Sequence, residues 1–284
     1  MSIIEKAIAK LNHANQVSTN ESHMSHSELN QNGVEPRHAD LQLKFNIESL
    51  SAAGIVSPNE HAPYLADEFR RIKRPLLNNA FGASAELVEN GNVIMVTSSL
   101  PGEGKSFSAV NLALSIALEK DFTVLLIDAD LAMSKITRMF ALDKHQGLTD
   151  KLENNNLDVG DLLIKTDFPG LSIIPSGKRS SLATELLSSG VMKDFIKEIA
   201  NRYNNRIIIF DSPPLLATPE SSVLAEQMGQ IVVVVEANKT PQSAVMDSLA
   251  LLNKDKAVSL ILNKTSKGFG YAQYGYYGSY GHNA

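Results

Sequence analysis

The fold of this chain is decided by the stretch Val93-Ile94-Met95-Val96-Thr97-Ser98-Ser99-Leu100-Pro101-Gly102-Glu103-Gly104-Lys105-Ser106-Phe107. An apolar, β-branched run ends at a loop rich in Gly and Pro, and an amphipathic segment follows over residues 107–118, which predicts strand, loop and helix. The N–H groups of such a loop form a nest for a polyphosphate, with Lys105 reaching its β- and γ-phosphates and Ser106 ligating Mg²⁺. Ser99 replaces the first Gly of the simple pattern, and a surface turn that caps a helix is the plain alternative. The predicted nucleotide contacts here are Pro101, Gly102, Glu103, Gly104, Lys105, Ser106 and Phe107.

Two further apolar runs end in aspartates. Val-Leu-Leu-Ile delivers Asp128 and Asp130, and Ile-Ile-Ile-Phe delivers Asp211 before a Pro-Pro stop. Strands that are apolar throughout are typical of a parallel sheet covered on both faces, and ligands bind at the carboxyl ends of such strands. Because Mg²⁺ prefers oxygen donors, Ser106, Asp128 and Asp211 are the predicted metal ligands. For Asp130, capping of the next short helix is the alternative.

The rest of the chain alternates strands and helices. That alternation predicts an α/β fold with a doubly wound, mostly parallel sheet. The predicted domain covers residues 61–266, and within it residues 143–170 are polar and irregular. The remaining predicted strands are 171–175, 231–235 and 258–262, and the remaining predicted helices are 184–203 and 242–253.

The composition excludes several classes of protein. The 284 residues include no cysteine, so disulfides, thiolate metal sites, Fe–S clusters and a cysteine nucleophile are excluded. A net charge of −5 gives no reason to expect nucleic acid or an anionic membrane as a partner. No apolar run reaches membrane-spanning length and no signal peptide is recognisable. We therefore expect a cytoplasmic chain that reaches the inner face of a membrane only through a partner.

The segments before the phosphate loop differ in character. Residues 1–11 have the apolar rhythm of an amphipathic helix, which would dock on its own domain or on another protein. Residues 12–60 are rich in Asn, Ser, His and Gln and predict a flexible linker. Residues 64–77 predict a helix with a charged face, which is either simply solvated or a self-complementary subunit contact. The candidate contact residues on that face are Glu68, Arg70 and Arg71.

The last segment, residues 267–284, predicts a flexible tail. It alternates Gly with five of the seven tyrosines of the chain, and Gly makes such a backbone costly to order. The tail is either a low-complexity adhesive segment or a set of phenols available for phosphorylation. The candidate phosphoacceptors are Tyr271, Tyr274, Tyr276, Tyr277 and Tyr280.

Three motifs together resemble the Walker A, A′ and B motifs of bacterial tyrosine kinases. They are Thr97-Ser-Ser-Leu-Pro-Gly-Glu-Gly-Lys-Ser106, Leu125-Leu-Ile-Asp-Ala-Asp130 and Ile207-Ile-Ile-Phe-Asp-Ser-Pro-Pro214. The tail is similar to the autophosphorylated tail of that family, and Asp67-Glu-Phe-Arg-Arg71 resembles its ring-forming helix. The opening Met-Ser-Ile-Ile-Glu-Lys-Ala and two later runs resemble the autokinases of exopolysaccharide loci that are associated with an exosortase. These two runs are Phe69-Arg-Arg-Ile-Lys-Arg-Pro-Leu-Leu77 and Thr184-Glu-Leu-Leu187.

The resemblance implies a P-loop NTPase fold and an ATP- and Mg²⁺-dependent tyrosine autokinase. Because the tyrosine cluster closely follows the last strand, we expect phosphate to be transferred between the subunits of a ring. Lys105, Asp128, Asp130 and Asp211 would be catalytic, with Asp128 or Asp130 accepting the phenolic proton, and Asn263 would contact the adenine. A separate membrane-anchored polysaccharide co-polymerase would activate the enzyme, which would regulate the chain length or export of an exopolysaccharide. The family commonly has an Arg soon after the second Asp of A′, whereas here the first Arg is Arg138.

Two rival functions share the nucleotide motifs. The first is an ATPase switch of the partitioning or septum-positioning type, which cycles on a membrane without phosphorylating protein. Its signature loop Lys is replaced by Leu100 here, which argues against that class. The second rival is an assembly module in which ATP binding only shapes an oligomer. The tyrosine tail is the feature that separates the kinase from a plain ATPase switch, and a bound nucleotide without turnover would indicate the assembly module.

Overall fold

The computed structural model describes residues 42–44, 55, 63–82 and 87–265. The predicted helix over residues 1–11 and the tail with its five candidate tyrosines lie outside the described residues. Within the stretch predicted as a linker, residues 42–43 form a short strand and Ile55 is buried in the core. None of the helices in the described ranges is long and apolar enough to cross a membrane.

The described residues form one sheet of eight strands. The strands are β1 Gln42–Leu43, β2 Val93–Ser98, β3 Thr123–Asp128, β4 Ile164–Thr166, β5 Leu171–Ile174, β6 Arg206–Asp211, β7 Gln230–Glu236 and β8 Ala257–Asn263. Their order across the sheet is β1-β4-β5-β3-β6-β2-β7-β8. All neighbouring strands are parallel except β4 and β5. The predicted doubly wound, mostly parallel α/β fold is therefore confirmed. The helices are α1 Pro63–Phe81, α2 Lys105–Ala117, α3 Lys135–Met139, α4 Leu148–Glu153, α5 Val159–Leu162, α6 Ala183–Leu187, α7 Gly190–Asn201, α8 Glu220–Ala225 and α9 Gln242–Ala250.

Helices cover both faces of the central strands, which explains why those strands lack polar alternation. On one face, α1 and α2 pack on alternate residues of β2, β3 and β6, and the cluster includes Phe69 and Leu112. On the other face, α7 and α8 pack on the intervening residues, and the cluster includes Phe195 and Phe210. A strand buried on both faces must be apolar at every position, because each side chain leaves water.

Two segments differ from the prediction. The predicted single helix over residues 184–203 is two helices, because the chain turns at Ser188 and Ser189. The Ser189 side chain accepts a hydrogen bond from the Met192 N–H and so begins a new helix, as N-cap serines do. Residues 143–170, predicted to be irregular, contain α4, α5 and β4. These elements are only three to six residues long, too short to show a periodicity.

Candidate nucleotide site

The loop between β2 and α2 has the backbone that a phosphate nest requires. Gly102 and Gly104 have φ values of 90° and 100°, in the left-handed region that side chains rarely adopt. A Cβ at residue 104 would also collide with the side-chain amide of Asn263. Gly104 directly precedes α2, so the loop and the first N–H groups of the helix form one concave surface.

The side chain of Lys105 is buried among carboxylates. Its Nζ lies 2.6 Å from Asp130 Oδ2 and 3.4 Å from Asp211 Oδ1, and it donates to Ser106 Oγ at 3.4 Å. Strands β3 and β6 are neighbours in parallel register, and Asp128 pairs directly with Asp211 at their carboxyl ends. The structure therefore brings the Lys and all three predicted aspartates together at the loop.

Two carboxylate oxygens at this point have no hydrogen-bond partner within the described chain. Asp128 Oδ2 accepts hydrogen bonds from the N–H of Thr137 at 2.8 Å and from its hydroxyl at 2.7 Å, whereas Asp128 Oδ1 is buried without a partner. Asp211 Oδ2 is likewise buried and unpartnered. Buried oxygens left in this state are costly unless a ligand satisfies them. Together with the Ser106 hydroxyl, they form a donor set that fits a hard divalent cation.

The burial of this cluster shifts the protonation of its members. Burial, reinforced by the negative charge of Asp211, raises the pKa of Asp128 to about 7. Burial also raises the pKa of Asp211, although the Lys105 charge opposes the change. Burial alone would lower the pKa of Lys105, but the charges of Asp211 and Asp130 outweigh it and the pKa is raised. Lys105 is therefore charged, and the excess negative charge around it favours a cation.

Three predicted nucleotide contacts have other contacts in the structure. The Glu103 carboxylate is buried and accepts hydrogen bonds from the Leu100 N–H and the Thr240 hydroxyl. Phe107 packs against the core on the α1 side, so its backbone N–H is the group that remains for a phosphate. Asn263 donates its amide N–H to the Glu103 carbonyl at 2.8 Å, which leaves Asn263 Oδ1 as the atom for an adenine. The predicted nucleotide contacts of all three remain predictions.

The structure also places the charged residues of α1 and the first Arg after Asp130. The predicted subunit-contact residues Glu68, Arg70 and Arg71 are exposed on α1, and Arg70 pairs with Asp67 at 2.8 Å. Arg138 donates to the carbonyls of Met133 and Ser134 at the start of α3. In the described structure, Lys105 is the cation that pairs with Asp130 and Asp211.

Some contacts of the site were not predicted from the sequence. Thr137 holds Asp128 from nine residues away, and Ser176 after β5 contacts Thr137 in turn. Thr240 and Lys264 contact the outside of the phosphate loop. No sequence signal identifies these residues, because each is a common polar residue brought in by the order of the strands.

A glycine-rich loop between a buried strand and a buried helix, with a buried Lys and three buried aspartates, defines a nucleotide-binding domain of the P-loop class.

The family model of the AAA domain matches residues 91–263. Tyrosine-protein kinase CpsD of Streptococcus agalactiae is 33% identical over 196 residues, which cover 68% of this chain and 83% of that protein. Tyrosine-protein kinase YwqD of Bacillus subtilis is 30% identical over 243 residues, which cover 84% of this chain and 97% of that protein. Among solved structures, the VpsO kinase domain is 30% identical with a TM-score of 0.56, covering 72% of this chain and 100% of that chain.

The chain belongs to the bacterial tyrosine-protein kinases. It is therefore an enzyme of the protein-tyrosine kinase class, and the family resemblance drawn from the three motifs is confirmed.

Proposed function

We propose that the chain is an ATP- and Mg²⁺-dependent tyrosine autokinase that phosphorylates the tyrosines among residues 271–280. One observation carries the nucleotide part of this proposal. Lys105 and three buried aspartates converge at the phosphate loop, and two of their carboxylate oxygens have no partner within the described chain. Such a cluster is complete only with a cation and a polyphosphate.

The residues of the cluster have distinct roles in the proposed reaction. Phosphoryl transfer requires alignment and neutralisation of charge rather than covalent catalysis. The loop N–H groups and Lys105 bind the β- and γ-phosphates. Ser106, Asp128 and Asp211 would hold Mg²⁺, which would neutralise charge on the phosphates. The phenolic oxygen forms a bond to the γ-phosphorus, the bond from that phosphorus to the ADP oxygen breaks, and a carboxylate takes the phenolic proton.

Asp128 and Asp130 remain the two candidates for the proton acceptor. Both oxygens of Asp130 have partners, because Oδ2 pairs with Lys105 and Oδ1 accepts from the Met133 N–H at 3.1 Å. Asp128 Oδ1 has no partner within the described chain, but the same oxygen is a proposed ligand of Mg²⁺. Each candidate therefore has a competing role, Asp130 towards Lys105 and Asp128 towards the cation, and the proposal keeps both as acceptors.

The wider proposal concerns how the enzyme is assembled and used. The candidate tyrosines follow β8 closely in sequence, so we propose that they enter the site of a neighbouring subunit in a ring. The exposed Glu68, Arg70 and Arg71 on α1 are the proposed contacts between subunits. We further propose that the enzyme regulates exopolysaccharide chain length or export from the inner face of the membrane, where a separate membrane-anchored co-polymerase recruits and activates it.

Intact-mass spectrometry after incubation with Mg·ATP tests the proposal. The wild-type chain is expected to gain phosphates that map to residues 271–280. A variant with Phe at all five tyrosines keeps the site and is expected to gain none, as is Lys105→Met once its fold has been verified. If no mass is added even with the cytoplasmic segment of the co-polymerase present, the autokinase proposal is wrong. ATP hydrolysis in that case would identify an ATPase switch.

A further inference from the structure

The outer side of the phosphate loop is held by residues from the ends of β7 and β8. In a loop whose N–H groups are needed for phosphates, the carbonyls must find partners elsewhere. Lys264 Nζ donates to the Gly102 carbonyl at 2.7 Å, and Asn263 Nδ2 donates to the Glu103 carbonyl at 2.8 Å. Two successive carbonyls of the loop are therefore bound by two successive residues at the end of β8.

The buried carboxylate of Glu103 is fixed by a second contact. Its Oε2 accepts from the Leu100 N–H at 2.7 Å, and its Oε1 accepts from the Thr240 hydroxyl. A free carboxylate at this point would repel a polyphosphate, since like charges in a poorly hydrated site interact strongly. Both oxygens of Glu103 are instead used to close the loop on itself and to join it to Thr240.

Glu236 at the end of β7 links these two contacts. Its Oε2 lies 3.0 Å from Lys264 Nζ and 3.2 Å from Lys239 Nζ. Its N–H donates to the Thr240 hydroxyl at 3.2 Å, and its carbonyl accepts from the Thr240 N–H at 3.1 Å. We call the set Glu103, Glu236, Thr240 and Lys264 the loop brace. Through Glu236, the brace connects Lys264 on one side of the loop with Thr240 on the other.

We infer that Thr240 and Lys264 are positioning residues for the phosphate-binding loop: they hold its outer groups so that its N–H groups are already aimed at a polyphosphate before one arrives. The inference rests on the proposed nucleotide binding and adds two residues that would not themselves contact the substrate. The physical basis is preorganisation. A loop that must be ordered when the nucleotide binds loses affinity by the free energy of ordering it.

Lys239 provides a matched control for Lys264. Both ammonium groups pair with the same oxygen of Glu236, but only Lys264 reaches the loop, at the Gly102 carbonyl. Lys264→Met removes the loop contact together with the pair to Glu236, whereas Lys239→Met removes a pair to Glu236 alone. Thr240→Val removes the hydroxyl with little change of shape and tests the other side of the brace.

The experiment measures the dissociation constant of Mg·ADP by isothermal titration calorimetry for the wild-type chain and each variant, together with the melting temperature without nucleotide. Loss of one charge-assisted hydrogen bond predicts an affinity weaker by about tenfold in Lys264→Met. A similar factor is expected in Thr240→Val, because the hydroxyl donates to the carboxylate of Glu103. Lys239→Met is expected to bind like wild type, and Lys264→Arg to recover most of the affinity. The nucleotide-free melting temperatures of Lys264→Met and Lys239→Met are expected to agree.

The outcomes separate this inference from the proposed function. If the wild-type chain binds no Mg·ADP, the proposed nucleotide site is wrong, and the inference that rests on it is wrong as well. If the wild-type chain binds and Lys264→Met binds equally well, the positioning role is wrong while the proposed function stands. If Lys239→Met loses affinity and thermal stability to the same extent as Lys264→Met, the contact of Lys264 with the loop is merely structural. That result would also overturn the inference.

Discussion

Removing the charge of Lys105 is expected to destabilise the nucleotide-free enzyme, not only to inactivate it. The Lys105 side chain is 6% exposed, and its ammonium lies 2.6 Å from Asp130 Oδ2 and 3.4 Å from Asp211 Oδ1. Lys105→Met fills a similar volume but leaves both carboxylates buried without their cation. Removing one partner of a buried ion pair costs about 3–5 kcal/mol of unfolding free energy. For a domain of this size that corresponds to a melting temperature lower by roughly 10 °C.

The loss should shrink as the pH falls. The charge of Lys105 holds down the pKa of Asp211, which burial raises. Without that charge the pKa of Asp211 rises further, so a larger fraction of the carboxyl is protonated in mildly acidic solution and the buried negative charge is relieved. We therefore expect a larger difference between variant and wild type at pH 8 than at pH 5.5.

Thermal unfolding followed by circular dichroism, in EDTA and without nucleotide, measures both effects. Lys178→Met is the matched control, because Lys178 is exposed and pairs with Glu153 at 2.7 Å on the surface. That control is expected to melt with the wild type, since exposed pairs contribute little. The reasoning is refuted if Lys105→Met melts within 2 °C of the wild type at pH 8, or if its deficit grows on acidification.

Three further predictions follow from single contacts. Asp128→Asn keeps an oxygen that can accept from Thr137 and removes the ionisable carboxyl. In the folded wild type the pKa of that carboxyl is about 7, above its ordinary value. Ionisation of Asp128 therefore lowers the stability of the wild type as the pH rises from 4 to 7. Without nucleotide, the variant should therefore melt above the wild type at pH 8, by the equivalent of about 4 kcal/mol at most, and show no gain at pH 4. Gly104→Ala must adopt a left-handed backbone and displace Asn263, so calorimetry should show Mg·ADP binding weakened by at least about tenfold. Ser189→Ala removes the cap of α7 and should lower the unfolding free energy by about 1 kcal/mol in urea denaturation, with the affinity for Mg·ADP unchanged.

The sequence predicted those parts of the site that are encoded by neighbouring residues. A strand that ends in a glycine loop predicted Lys105 beside a phosphate nest, and apolar runs that end in acids predicted Asp128 and Asp211 at one edge of the sheet. Both signals are local. Ligands bind at the carboxyl ends of parallel strands, so the position of these residues at the site follows without knowledge of the packing. The strand order was needed to show that the two aspartates face each other and that Lys105 pairs with Asp130.

The parts that were missed depend on contacts between distant residues. Thr137 supports Asp128, and Thr240 supports Glu103 across 137 positions of the chain. A threonine carries no mark of such a partner in its own neighbourhood. The break before α7 was missed for a different reason. The apolar periodicity continues through Ser188 and Ser189, so the pattern predicts one helix. The Ser189 side chain can instead accept a hydrogen bond from the backbone and begin a new helix, and the sequence does not show which conformation is preferred.

The direct pairing of Asp128 with Asp211 has a consequence for how this enzyme can change in evolution. The two residues end adjacent strands, and side chains alternate between the faces of a sheet with a period of two. Exchange of one branched apolar residue for another within β3 or β6 keeps both acids in place. Insertion or deletion of a single residue there would turn one acid to the opposite face and separate it from Lys105. We therefore expect homologous sequences to vary in length in the loops that connect the strands to the helices. The lengths of β3 and β6 are expected to stay fixed even where their residues differ.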